Sequence, residues 1–327
     1  MISIGKRSLA MLAAAGLAIA ACTTLPDTSG YTTATISMKQ SVVSAGAILR
    51  TELGRLPQRL PAGNLRDNAT TAGANFDAAW LKTTASLDGA VAYAESIQAI
   101  TRSGNQGGES VRQVADSLGE LAGAVGVLPA APIVKLATDT LVTVGRQIAL
   151  VRATRSLERS LEESAPLIRA FGGEMATQVI GARQIFVDAI GIERDSLNRQ
   201  YQSAVTSDQV LIEREDRLVR QLAALAAATQ DDAAERGRVE ANLERVRAAR
   251  TALRPFVTAH SSGMEDVATR ERAGIELFAA TEAAVRNWQA AHASLVSAVR
   301  DRRPVSFESL QAASVEIRAL IERWRDL

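Results

Sequence analysis

One cysteine and two histidines are all the thiol and imidazole in the 327-residue chain, and their surroundings limit the chemistry open to it. Cys22 follows Ile19, Ala20 and Ala21 at the end of an uncharged run, Ser8 to Ala21, which itself follows Lys6 and Arg7. A basic start, a short apolar stretch and small residues are the layout of a secretion signal. The run is also shorter than the roughly 18 to 20 residues of a spanning helix. His260 and His292 have Val257 and Gln289 three positions earlier, so neither completes the Glu-x-x-His pair of a di-iron bundle. A His-Glu-x-x-His zinc helix is absent too. Beyond Cys22 there is no Gly-x-Ser-x-Gly elbow or Ser-x-x-Lys pair. The glycine-rich stretch Gly104 to Gly108 lacks the Gly-Lys-Ser/Thr ending of a phosphate loop. The expectation is a non-enzymatic protein with no catalytic residue, no cofactor and no metal site.

The tetrapeptide Ile19-Ala20-Ala21-Cys22 resembles the lipobox of bacterial lipoproteins, with Ile where Leu is commoner. The resemblance covers only the first two dozen residues. It implies acylation of the Cys22 sulfur, cleavage before Cys22 by signal peptidase II and acylation of the new amino group with fatty chains such as palmitate. Thr23, in place of an aspartate, implies sorting to the periplasmic face of the outer membrane. Several chains at about 0.8 kcal/mol per buried methylene would make the anchor effectively permanent. The alternative is an ordinary signal peptide cut near Ala21, with Cys22 left as a free thiol. With one cysteine, no internal disulfide can form.

Without Lys6 and Arg7 the chain carries 35 basic and 36 acidic residues, a net charge near −1. Such a balance generates no field that would gather nucleic acid, and no nucleic-acid partner is expected. The expected partners are membrane lipid, through acylated Cys22, and a protein of the cell envelope.

The elements that would position any site are helices. Ala, Leu, Arg, Glu and Gln dominate, Pro is scarce and β-branched alternation is nearly absent, so the sequence predicts an all-α fold. Residues 1–21 read as the cleaved signal, 22–30 as the lipidated Cys and a polar tether, 31–165 as an N-terminal helical part and 166–327 as a C-terminal long-helix bundle. Capping-box spacing at Ser110/Gln113, Thr206/Gln209, Asp232/Glu235 and Ser262/Glu265 predicts helix starts. Leu56 to Asn68 and Ser103 to Gly108 read as breaker-rich loops, and Pro166 as a first-turn proline.

Apolar stripes recur at three-and-four spacing: Met38, Val42, Leu49, Leu53, Leu56; Phe76, Trp80, Leu87, Val91, Ala94; and Ile168 through Phe171, Met175, Val179, Ala182, Phe186, Ile190 and Leu197 to Tyr201. Leu211, Leu218, Leu222 and Leu225 face one way, as do Val239, Leu243, Val246 and Leu253 after Asp231-Asp232, which predicts a helical hairpin. Phe278, Val285, Trp288, Leu295 and Val299 predict another long helix from about Gly263, and Leu310, Ile317, Ile321 and Trp324 a last one after Pro304. Long one-sided helices with short connections bury their stripes by packing antiparallel, which predicts an elongated bundle with two sub-bundles divided near residue 165.

His292, four residues after Trp288 and three before Leu295, reads as a hydrogen-bonded seam residue. His260, beside Ser261, Ser262 and Gly263, reads as an exposed loop residue. Glu174, Asp188 and Glu193 on the long helix are either paired charges at the core edge or a polar pocket. The mixed-charge runs Ile212 to Arg220 and Glu240 to Arg250 suit i,i+4 pairing and, less often, partner choice across a coiled coil.

Fourteen uncharged residues, Leu121 to Val134, contain two prolines and cannot span a bilayer as one helix. They read as a buried turn, or as an apolar tip like that of helical pore-forming toxins. The functional expectation is a lipid-anchored scaffold or protein-binding module of the envelope. The alternatives are a membrane-active helical protein using 121–134, and a small-ligand binder or unfamiliar enzyme with a pocket between helices.

Overall fold

Alternating faces of Ala, Leu and Val with charged residues between them leave helix as the way to satisfy the backbone while burying one stripe per segment. The computed structural model describes residues 26–103, 108–126, 157–227 and 233–327. Among these residues the fold is an all-α helical bundle without strands: α1 Ser29–Arg59, α2 Asn64–Ser103, α3 Gly108–Gly126, α4 Leu157–Ala227, α5 Ala233–Thr258, α6 His260–Asp301 and α7 Glu308–Arg325.

Two compact units divide it. One takes the chain up to Ser44, Ala78–Ile180 and Ala279–Ala319; the other takes Ala45–Asp77, Gly181–Phe278 and Leu320–Leu327. The division therefore does not fall near residue 165, which lies inside α4, and α1, α2, α4, α6 and α7 each contribute to both units. An apolar stripe that continues along a helix gives no sequence signal where one core ends and the next begins.

In the first unit α1 and α2 are antiparallel, since Thr28 meets Thr101, Thr32 meets the Ala94 carbonyl and Lys39 pairs with Asp88. Tyr31, Met38, Tyr93, Leu118, Phe171 and Trp288 are wholly buried there. The expected tether is shorter than 22–30. Thr28 is fully buried with its hydroxyl 2.7 Å from that of Thr101, and α1 already contains Ser29 and Gly30. At Gly89 the backbones of α2 and α3 approach closely, since a Cβ there would lie 2.9 Å from the Leu121 Cα.

In the second unit Leu49, Leu53, Phe186, Ile190, Leu277 and Phe278 form the core. The expected hairpin is present: ion pairs join Arg250 to Asp208 and Arg247 to Glu215, and Gln221 bonds Glu235 nearer the tip.

Several expected boundaries move. The loop read from Leu56 to Asn68 is confined to residues 60–63, because α1 continues through Pro57. Gly63, at φ +126°, makes the turn and accepts the first amides of α2, those of Arg66 and Asp67. Pro166 lies in the interior of α4, not its first turn; it forfeits one backbone hydrogen bond, and α4 continues past it. Ser110, Thr206 and Ser262 are inside helices. At Ser262 the break fails because the i→i−4 ladder continues, Ala259 N to Pro255 O and Gly263 N to Ala259 O, both 3.0 Å. Asp232 lies outside the described residues, and α5 begins immediately after it.

Candidate functional site

Ser164, Tyr93 and His292, all buried in the first unit, form one hydrogen-bonded chain. Ser164 Oγ donates to the Leu161 carbonyl at 2.8 Å, which uses its one proton. The 2.9 Å contact between Ser164 and Tyr93 must then have Tyr93 donating, and the 2.7 Å contact between Tyr93 Oη and His292 Nε2 must have the imidazole donating. The relay fixes His292 as the Nε2–H tautomer. Burial without a counter-charge lowers its pKa from 6.5 to about 3, so the ring is neutral at physiological pH. Tyr31 stacks on Trp288 at 6.2 Å between centroids and packs on Phe307 and His292. Its hydroxyl has no hydrogen-bond partner among the described residues.

The second unit buries charge. Arg270, 3 % exposed, donates Nη1 to Glu52, Nη2 to Glu193 at 3.0 Å and Nε to Asp266 at 3.1 Å. Glu52 also accepts from Arg55 at 2.9 Å, and the second oxygen of Glu193 lies 3.8 Å from Arg59 Nε. Burial opposes the charge on Arg270, but the Glu52 and Glu193 carboxylates outweigh it and raise the guanidinium above its ordinary value. On Glu52 burial wins, lifting the carboxyl above the usual range against the pull of Arg270 and Arg55. Each of the three guanidinium nitrogens of Arg270 donates to a different carboxylate, so the cluster acts as a lock between α1, α4 and α6.

Beside that lock, at the end of α1, the second unit opens a pocket of about 600 Å³. The ends of α1 and α5 and the middle of α4 line it, with Arg59 and Arg199 as its charged groups, Gln200 and Ser203 as neutral polar ones and Leu253 and Phe256 among the apolar ones. A second, more polar recess of about 400 Å³ lies along the hairpin, where Asp208, Glu215, Arg247 and Arg250 are already paired with one another.

The residues singled out from sequence fall as follows. His292 is 1 % exposed and hydrogen-bonded in the seam, as expected. His260 is not an exposed loop residue: it starts α6, stacks on Tyr201 at 4.2 Å and contacts Asn198 Oδ1 at 2.9 Å through Nε2. Glu193 joins the buried lock, whereas among the described residues Glu174 accepts from Gln178 and Asp188 from Gln184 on their own helix. Ile19, Ala20, Ala21 and Cys22 lie outside the described residues, as do 127–134 of the apolar segment; its Leu121 is fully buried. Among the described residues no helix is long and apolar enough to cross a membrane, and no group of His, Cys, Asp or Glu is placed to hold a metal ion.

Sequence reasoning missed Arg270 and Glu52, although a signal existed. Arg270 follows Val267 by three and precedes Phe278 by eight, and Glu52 sits between Leu49 and Leu56, so both charges occupy stripe positions of their helices. A charge in the stripe, instead of beside it, marks a buried pair. No family model, curated protein sequence or solved structure matches this chain.

Proposed function

We propose that the protein is a lipoprotein of the bacterial envelope, acylated on Cys22, held at the periplasmic face of the outer membrane, and that it binds a helical segment of an envelope protein instead of catalysing a reaction. The lipobox residues Ile19 to Cys22 support the anchor. The observation that carries the binding role is the hairpin of α4 and α5. Two helices can bury only one stripe against each other, and here Leu211, Leu218, Leu222 and Leu225 are only partly covered. Next to them Val205, Ile212 and Val219 recur every seven residues, with Val205 39 % and Val219 44 % exposed. Seven-residue recurrence is the spacing of a coiled-coil seam, and the Arg and Glu residues between are the flanking charges that select a partner. The buried charges of Arg270, Glu52 and Glu193 are paired with one another, which suits a scaffold.

The test has two arms. Metabolic labelling with an alkynyl fatty acid marks the wild type and not Cys22→Ser; an unlabelled wild type refutes the anchor. A photoreactive residue at Val219 traps a discrete envelope protein, and the adduct disappears with Val205→Asp. The same adducts from Val315, an exposed site on α7, refute the hairpin as the binding face.

A further inference from the structure

The pocket at the end of α1 has charged groups that do not pair with each other, and we infer that it binds a single-chain amphiphile with an anionic head, a site distinct from the hairpin face. Its two charged lining residues, Arg59 and Arg199, are both cationic, and no carboxylate lines it. Arg199 is exposed and has no ion-pair partner among the described residues. Arg59 is half exposed, and its contact with Glu193 is long at 3.8 Å because Arg270 already holds that carboxylate at 3.0 Å. The Arg199 fork is therefore free, and the Arg59 fork is held only by that long contact, to take a carboxylate or phosphate ester, the acceptors that arginine matches best.

A helix C-terminus normally disfavours an anion, because its last carbonyls carry partial negative charge. Here that charge is covered. The Arg59 carbonyl accepts from Ser196 Oγ at 3.0 Å, and the Leu60 carbonyl accepts from both Nε and Nη2 of Arg66, at 3.1 and 2.6 Å. The cap adds a third guanidinium to the same end of α1. Gln200 and Ser203 supply neutral donors, while Leu253 and Phe256, the latter 50 % exposed, offer an apolar wall for a chain. A volume of about 600 Å³ lies within the range of small-molecule sites.

The experiment is calorimetric titration of the full-length Cys22→Ser chain, which carries no acyl chains of its own to compete, with octanoate, 1-octanol and octyltrimethylammonium. Octanoate is expected to bind saturably with Kd of about 1 mM or tighter, more weakly as salt is added, and at least about tenfold better than either comparator. Arg199→Glu is expected to weaken octanoate at least about tenfold, and Phe256→Ser about threefold. Arg199 is exposed and unpaired, so the fold survives its reversal, and circular dichroism checks this. Absence of octanoate binding, equal binding of the cationic amphiphile, or an unchanged affinity in Arg199→Glu overturns the inference. None of these results bears on the anchor or on the hairpin adducts.

Discussion

Replacing Arg270 by Met tests the buried lock quantitatively. The substitution preserves much of the side chain's length but leaves Glu52 and Glu193, 2 % and 5 % exposed, without their shared cation. Removing one partner of a buried pair costs about 3 to 5 kcal/mol, because the remaining charge stays desolvated. At about 2 to 4 °C per kcal/mol the first thermal transition should fall by on the order of 10 °C.

The pH dependence separates this cause from lost packing. Without Arg270 the Glu52 carboxyl, already held above the usual range by burial, loses the cation that pulls it down and rises further, so the folded form holds a proton that the unfolded form releases. Stability is then highest below the unfolded pKa and falls as pH rises through the folded one, by up to about 1.4 kcal/mol per pH unit per carboxylate. Urea unfolding followed by circular dichroism should show the deficit of Arg270→Met shrinking from about pH 7.5 to about pH 5. The triple variant Glu52→Leu, Glu193→Leu, Arg270→Met should recover wild-type stability or exceed it, since a packed apolar replacement of a buried ion group is commonly neutral to stabilising. A deficit that stays constant with pH, together with a triple variant no better than the single one, refutes the electrostatic account.

The His292 relay gives a second pH signature. The unfolded ring takes a proton below about 6.5 and the folded ring only near 3, so stability is complete above about 6.5 and declines as pH falls, by up to about 1.4 kcal/mol per unit; His292→Gln should flatten that limb, and nitrogen NMR should show the Nε2–H tautomer. Tyr31→Phe removes a buried hydroxyl without a described partner, so it should be neutral or stabilise by about 1 kcal/mol in urea unfolding. A loss of about 1 kcal/mol instead would expose a hydrogen bond that the reading lacks. Gly173→Ala meets open space in mid-helix and should stabilise by about 0.5 to 1 kcal/mol, whereas Gly274→Ala would put its Cβ 2.2 Å from the Phe186 ring and should cost about 1 to 3 kcal/mol.

The helices were legible because their stripes were. Met38, Val42, Leu49, Leu53 and Leu56 are all buried, as are Ile168 to Ile190 at the positions read from periodicity. What periodicity does not carry is where a helix stops. Pro57 and Pro166 are inside α1 and α4 because tertiary burial on both sides outweighs the one backbone hydrogen bond that each forfeits. Ser262 resembles a cap but returns its hydroxyl to the Ala259 carbonyl at 3.1 Å, the alternative open to any mid-helix serine. The lock was hidden for another reason: Arg270 and Glu52 are 218 residues apart, and no local pattern pairs charges at that distance. The pocket at the end of α1 was equally invisible, since its lining comes from three helices that only the fold brings together.

Lock and pocket share Arg59, and this makes them separable by one substitution. Glu193 divides its two oxygens between Arg270 and Arg59, so neutralising it leaves Arg270 with Glu52 and Asp266 while releasing Arg59 from its only described carboxylate. A long 3.8 Å pair whose arginine is 52 % exposed is worth about 0.2 to 1 kcal/mol, which corresponds to a factor of about 1.5 to 5 in affinity. Glu193→Gln should therefore tighten octanoate binding by that factor at temperatures where the variant remains folded, even though the same change weakens the lock. Arg59→Gln should abolish the gain when the two changes are combined. If Glu193→Gln binds octanoate more weakly, Arg59 serves the lock alone and the head group rests on Arg199.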